Sequence, residues 1–117
     1  MKWLCSVGWS DITDEVKKHG LPRVIGDPVE DVELFKSVSP LENAARIKQP
    51  LLLAYGAWDV RVPLVHGEKF RDAIKPHTSA VEWVVYPNEG HGWARPENRV
   101  DFWTRVERFL ARHIGTP

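Results

Sequence analysis

The sequence predicts an α/β fold built on a parallel sheet, and three observations carry that reading. "QPLLLAYGAW" (49–58) is an unbroken apolar run, the pattern of a parallel strand buried on both faces. "AVEWVVYP" (80–87) is rich in β-branched and aromatic residues, as a second strand requires. Helical patterns stand between and after these runs, so strands and helices alternate.

Taken in order, "KWLCSVGW" (2–9) is mostly apolar and ends in a glycine-bearing turn, which reads as a buried strand. Residues 10 to 40 are polar and irregular. "HGLPR" and "GDP" act as turn signals there, and "EDVELFKSV" (30–38) forms a short helix. Ser39-Pro40 leads into "LENAARI" (41–47), a helical stretch with Leu41, Ala44, Ala45 and Ile47 on its apolar side. After the strand at 49–58, Pro63 sits where a helix's first turn tolerates proline. That helix runs from about Leu64 to Ile74, with Gly67, Phe70 and Ile74 facing inward. The last helix opens at Pro96 and places Val100, Trp103, Val106, Leu110 and Ile114 at three- and four-residue steps. Three parallel strands make a thin sheet, and the first begins with nothing before it to pair. The pattern is that of a cut through the middle of a larger sheet.

Composition narrows the function classes. The 117 residues suit one small domain or a piece of a larger one. Sixteen basic and sixteen acidic residues cancel, so neither nucleic acid nor an anionic membrane is an expected partner. "PLLLAYGAW" is too short to cross a bilayer, and "MKWLC" leads into no extended apolar region, so no secretory signal is expected. The single cysteine, Cys5, fits a reducing cytoplasm.

Two residues stand out for chemistry. Asp59 follows the strand at 49–58, and His91 follows the strand at 80–87, framed by Gly90 and Gly92. Catalytic and binding groups of an open α/β sheet collect at the carboxyl ends of its strands. If the two strands are parallel neighbours, Asp59 and His91 emerge on one edge, within hydrogen-bonding reach. A carboxylate on one imidazole nitrogen fixes the tautomer and frees the other nitrogen to take a proton. An aspartate after a strand is also a common turn or cap residue, and on spacing alone both readings stand.

The stretches "SPLENAARIKQPLLLAYGAWDVRVPLVHGEKFRDAI" and "VEWVVYPNEGHGWARPENRVDFWTRVERFLARHI" resemble the C-terminal end of the prolyl oligopeptidase family. The most specific parts are Gly-x-x-Asp-x-x-Val-Pro at Gly56, Asp59, Val62 and Pro63, and "EGHG" at 89 to 92. These are serine peptidases of the α/β-hydrolase fold, including dipeptidyl- and acylaminoacyl-peptidases. The resemblance implies an orienting acid at Asp59 and a general base at His91, two members of a Ser-Asp-His triad. It implies a peptide or ester substrate in the complete enzyme and no cofactor.

The family's nucleophile sits at a Gly-x-Ser-x-Gly elbow, before the strand that resembles residues 2–9. The serines here, at 6, 10, 37, 39 and 79, include none between two glycines at that spacing. Ser10 follows a strand but lacks the second glycine, Ser39 reads as a turn or cap, and Ser79 as loop. The oxyanion-hole donor beside the nucleophile is missing with it. Residues 1–117 are therefore expected to be a partial α/β-hydrolase domain, three strands of a three-layer sandwich, without the half that carries the elbow.

Other polar residues have plainer readings. His66 lies on the helix after Asp59 as a surface or packing residue, His19 and His77 in polar loops, and His113 in the last helical turn, where positive charge suits the helix dipole. They show no metal-ligand spacing, so no metal is expected. Trp58 and Trp93 flank the two candidates, lining a pocket or shielding the pair from water. Glu89 either caps and orients the histidine loop or is solvated. Arg95 and Glu97 read as helix-start surface residues, Asp11 and Asp27 as turn or cap residues. Two rivals to a hydrolase fragment are a weak esterase using His91 and water, and a non-catalytic module that binds itself or a partner. An unpaired apolar edge near residues 2–9 would make the latter a homo-oligomer.

Overall fold

A computed structural model describes residues 11–27 and 29–115. Two strands, β1 (Leu51–Gly56) and β2 (Val81–Tyr86), form its sheet among the described residues. They pair in parallel, with Leu51 opposite Val81 and Gly56 opposite Tyr86. The predicted strand at 2–9, and the edge expected there, lie outside the described residues.

A π-helical turn at Val16–Gly20 runs into α1 (Leu21–Ile25), and α2 (Val32–Val38) follows. A 3₁₀ turn at Ala44–Arg46 precedes β1. Then come α3 (Leu64–Ile74), β2 and α4 (Pro96–Ile114). Both sequence-predicted long helices appear at the predicted bounds.

The layers follow from side-chain alternation along the strands. Tyr55 points to the face covered by α3. There its ring lies where a Cβ on Gly67 would stand, with Cε1 only 2.6 Å from that position. Trp83 extends this face, 5.1 Å from the Tyr55 ring, and the Arg71 guanidinium stacks over Trp83 at 4.8 Å. Tyr86 points the other way, toward α4, packing edge-on against Trp93 at 4.8 Å and donating its hydroxyl to Asp101 at 2.8 Å. Burial and that carboxylate push the Tyr86 phenol up to about 12. The sheet is thus sandwiched between α3 and α4, with Ile74 and Tyr86 buried on its two sides.

The structure corrects three sequence expectations. "HGLPR" is helix rather than turn, because Pro22 falls in the first turn of α1, where its missing N–H costs no hydrogen bond. "LENAARI" closes into one 3₁₀ turn instead of a helix. The Asn43 amide caps the end of α2, donating to the Ser37 and Ser39 carbonyls at 2.9 Å each, and so competes with helix continuation. On α4 the half-buried apolar residues are Phe102, Val106 and Phe109. Of the expected stripe only Val106 is covered, and Val100, Trp103, Leu110 and Ile114 face solvent. Trp93 sets this rotation by docking on Phe102 at 5.4 Å. No helix among the described residues is long and apolar enough to cross a membrane.

Candidate active site

The carboxyl ends of β1 and β2 lie side by side, and the loops leaving them are joined backbone to backbone. The Ala57 N–H donates to the Tyr86 carbonyl at 3.0 Å, and the Trp58 N–H to the Glu89 carbonyl at 2.9 Å. Gly56 makes this approach possible. A Cβ there would stand 2.6 Å from the Glu89 oxygen and collide with the Gly90 oxygen.

Asp59 follows at once. Its Oδ1 accepts the N–H groups of Arg61 at 2.9 Å and Val62 at 2.8 Å, closing the turn into α3. Its Oδ2 faces His91 Nδ1 at 3.0 Å. The turn reading and the pairing reading of Asp59 are therefore both met, one by each oxygen. Burial raises the Asp59 carboxyl, but the Val62 amide, the His91 ring and the Arg61 amide outweigh it and hold the group below its ordinary 3.8. An ionised carboxylate only accepts, so His91 Nδ1 is the donor in this contact and Nε2 lies on the side of the ring away from Asp59. The His91 side chain is 56% exposed while that of Asp59 is 10% exposed, so the imidazole is open to solvent and the carboxylate beneath it is largely covered.

Gly92 gives the histidine loop its shape, with φ at 109° in the left-handed region that disfavours a side chain. Glu89 gives it anchorage. Its carboxylate is buried and accepts the Ala94 and Arg95 N–H groups at 2.9 Å each and the Asn98 amide at 2.8 Å. The Asn98 amide and those two N–H groups hold the Glu89 carboxyl below its ordinary 4.5 despite the loss of hydration. Of its two sequence readings, the capping one is observed.

The remaining predicted residues separate. Trp93 belongs to the core against Tyr86 and Phe102, neither pocket wall nor shield. Trp58 is 66% exposed, too open to exclude water from the pair. Asp27 is the expected turn residue, accepting from the Val29 and Glu30 amides. Asp11 is not a local cap: it takes Arg61 in a two-pronged ion pair at 3.1 and 3.2 Å. This link, between positions fifty apart, leaves no mark in the sequence pattern. Ser39 is buried and its hydroxyl accepts the Glu42 amide as a cap, Ser79 is exposed, and Ser6 and Ser10 lie outside the described residues. Among the described residues no three His, Cys, Asp or Glu side chains cluster as a metal site.

Comparison with known proteins identifies the family. The sequence profile described as the prolyl oligopeptidase family matches residues 4–117. The chain belongs to that family. Dipeptidyl aminopeptidase BIII of Pseudoxanthomonas mexicana is 36% identical over 109 residues, which are 92% of this chain and 15% of that protein. The crystal structure of puromycin hydrolase superposes with a TM-score of 0.81 at 25% identity, over 96% of this chain and 16% of the other. An acylaminoacyl peptidase in complex with Z-Gly-Gly-Phe-chloromethyl ketone gives a TM-score of 0.80 at 29% identity, over 98% and 19%. These neighbours are α/β-hydrolase-type peptidases of the prolyl oligopeptidase family, and the fold class is theirs. The chain spans less than a fifth of the length of each.

Proposed function

We propose that Asp59 and His91 are the orienting acid and general base of a serine peptidase of the prolyl oligopeptidase type. Its nucleophile would be supplied by a Gly-x-Ser-x-Gly elbow that these 117 residues do not contain. The observation that carries this reading is the 3.0 Å contact between Asp59 Oδ2 and His91 Nδ1, with the far side of the ring open. In the assembled site the serine hydroxyl passes its proton to His91 Nε2 as its oxygen attacks a peptide or ester carbonyl. The imidazolium is stabilised by Asp59 and then returns that proton to the leaving group as the acyl bond breaks. Peptide substrates are supported by the acylaminoacyl peptidase bound to a peptidyl chloromethyl ketone.

Two measurements test this. The isolated chain is incubated with a fluorophosphonate serine-hydrolase probe and weighed intact. No adduct is expected, and a stoichiometric adduct lost in His91→Ala would place the nucleophile inside the chain and overturn that half of the proposal. In a longer protein bearing the elbow, Asp59→Asn is expected to lower kcat by about 10⁴-fold, because the amide favours the wrong imidazole tautomer. A loss of less than about tenfold would sink the triad assignment.

A second reading, a self-associating module, is favoured by the exposed α4 stripe of Val100, Trp103, Leu110 and Ile114. Light scattering decides it: a mass that stays monomeric at high concentration removes this alternative.

A further inference from the structure

We propose that Glu89 is a positioning residue for His91, a role that rests on the pairing of His91 with Asp59 argued above. Between Gly90 and Gly92 the histidine has no neighbouring side chain to hold its backbone, and glycine-rich segments carry the largest conformational entropy when free. Glu89 makes up for this from both ends of the loop. Its carbonyl is fixed to the Asp59 loop, accepting the Trp58 N–H at 2.9 Å, and its own N–H closes the turn out of β2 on the Tyr86 carbonyl at 3.3 Å. Its side chain reaches forward past His91 to the Ala94 and Arg95 amides and to Asn98, at the start of α4. Residues 90–93 are thus a short arch whose two feet are held by one residue, with His91 in the span.

Chemistry explains why a carboxylate is used. Two converging backbone N–H groups and a side-chain amide offer only donors, at a helix N-terminus where the macrodipole also favours negative charge. Glu89 is the one buried charged side chain among the described residues. A cap serving the helix alone needs no residue from the far side of the histidine. Glutamine has the same shape but carries one acceptor oxygen, and its NH₂ would face an N–H donor at one foot of the arch. Glu89→Gln therefore frees the arch while leaving the apolar core untouched.

The readout is the His91 Nδ1–H proton, observed far downfield by NMR of the cold, ¹⁵N-labelled chain and assigned by its disappearance in Asp59→Asn. Glu89→Gln is expected to abolish that resonance while the Tyr55 and Trp83 ring signals, on the opposite face of the sheet, keep their positions. A folded Glu89→Gln chain with the resonance intact overturns the role of Glu89 and leaves the Asp59–His91 pair standing. If the unsubstituted chain lacks the resonance, both the pair and the inference fall. Should Glu89→Gln fail to fold, Asn98→Ala decides, since it removes one of the three donors and leaves the carboxylate. Faster exchange of the His91 proton with water in folded Asn98→Ala supports the inference, and an unchanged rate overturns it.

Discussion

Gly56→Ala provides a stringent test of how the site is held. The added Cβ would lie 2.6 Å from the Glu89 oxygen and 2.8 Å from the Glu89 carbonyl carbon. Unstrained carbon contacts begin at about 3.5 Å, so the Glu89 contacts alone force the two loops apart by roughly 0.7–0.9 Å, and the nearer Gly90 oxygen demands more. All these atoms belong to the backbone, and no side-chain rotation relieves the clash. Added to the 2.9 Å Trp58–Glu89 bond and the 3.0 Å Asp59–His91 contact, that separation takes each beyond about 3.5 Å, past useful hydrogen-bonding range. Overpacking costs about 1–3 kcal/mol, and the lost backbone bond about 1 more. The sum, about 2–4 kcal/mol, corresponds to a fall in Tm of roughly 8–16 °C for a chain of this size. Thermal unfolding by circular dichroism measures the fall, and the His91 Nδ1–H resonance reports the opened pair. A variant melting within about 2 °C of the parent, with its resonance in place, would refute the claim that this glycine sets the spacing of Asp59 and His91.

Other expectations follow from the same contacts. Ile74→Ala empties a fully buried position on the α3 side of the sheet and is expected to cost about 2–5 kcal/mol in urea unfolding, with the m-value unchanged. Asp59 and Asp101 titrate below their ordinary 3.8 in the folded chain, Asp101 chiefly because of its bond from Arg105. A carboxyl lowered by folding contributes fully above its ordinary value and loses that contribution as pH falls toward the folded one. The urea midpoint should therefore be level above about pH 5 and decline below about pH 4, and a midpoint still level at about pH 3 would contradict it. Tyr86 runs the other way. Raised to about 12 from an ordinary 10.0, its contribution is whole below pH 10 and disappears as pH rises through the folded value. Absorbance at the phenolate band should show Tyr86→Phe missing the most alkaline transition, and its presence there would reassign it to Tyr55.

Much of this was legible in the residues because each level pointed the same way. The apolar run at 51–56 and the β-branched run at 81–86 admit little besides parallel strands, and Pro63 and Pro96 mark where the two long helices open. Asp59 and His91 fall on one edge once the two strands are taken as parallel neighbours, a pairing the sequence suggested and the sheet has. The packed face of α4 could not be read this way, because residues 102, 106 and 109 repeat at the same steps as 100, 103, 110 and 114. Only the tertiary contact of Trp93 with Phe102 chooses between the stripes. Glu89 was ambiguous for a related reason: an acidic residue in a glycine loop reads as solvated until its donors, five to nine positions on, are seen to converge. Its one sequence signal is an acid shortly ahead of a helix-opening proline. Asp11 and Arg61 meet only through the fold.

The two backbone bonds that tie the β1 loop to the β2 loop also govern how this region tolerates exchange. Asp59 and His91 are not independent insertions on a neutral scaffold. Residues 56–63 and 86–98 form a single cassette, fastened across the gap by Ala57 and Trp58 and along the chain by Glu89. Grafting either loop alone from a family member is therefore expected to misplace both partners, whereas transplanting the two together should carry a working geometry into another parallel sheet.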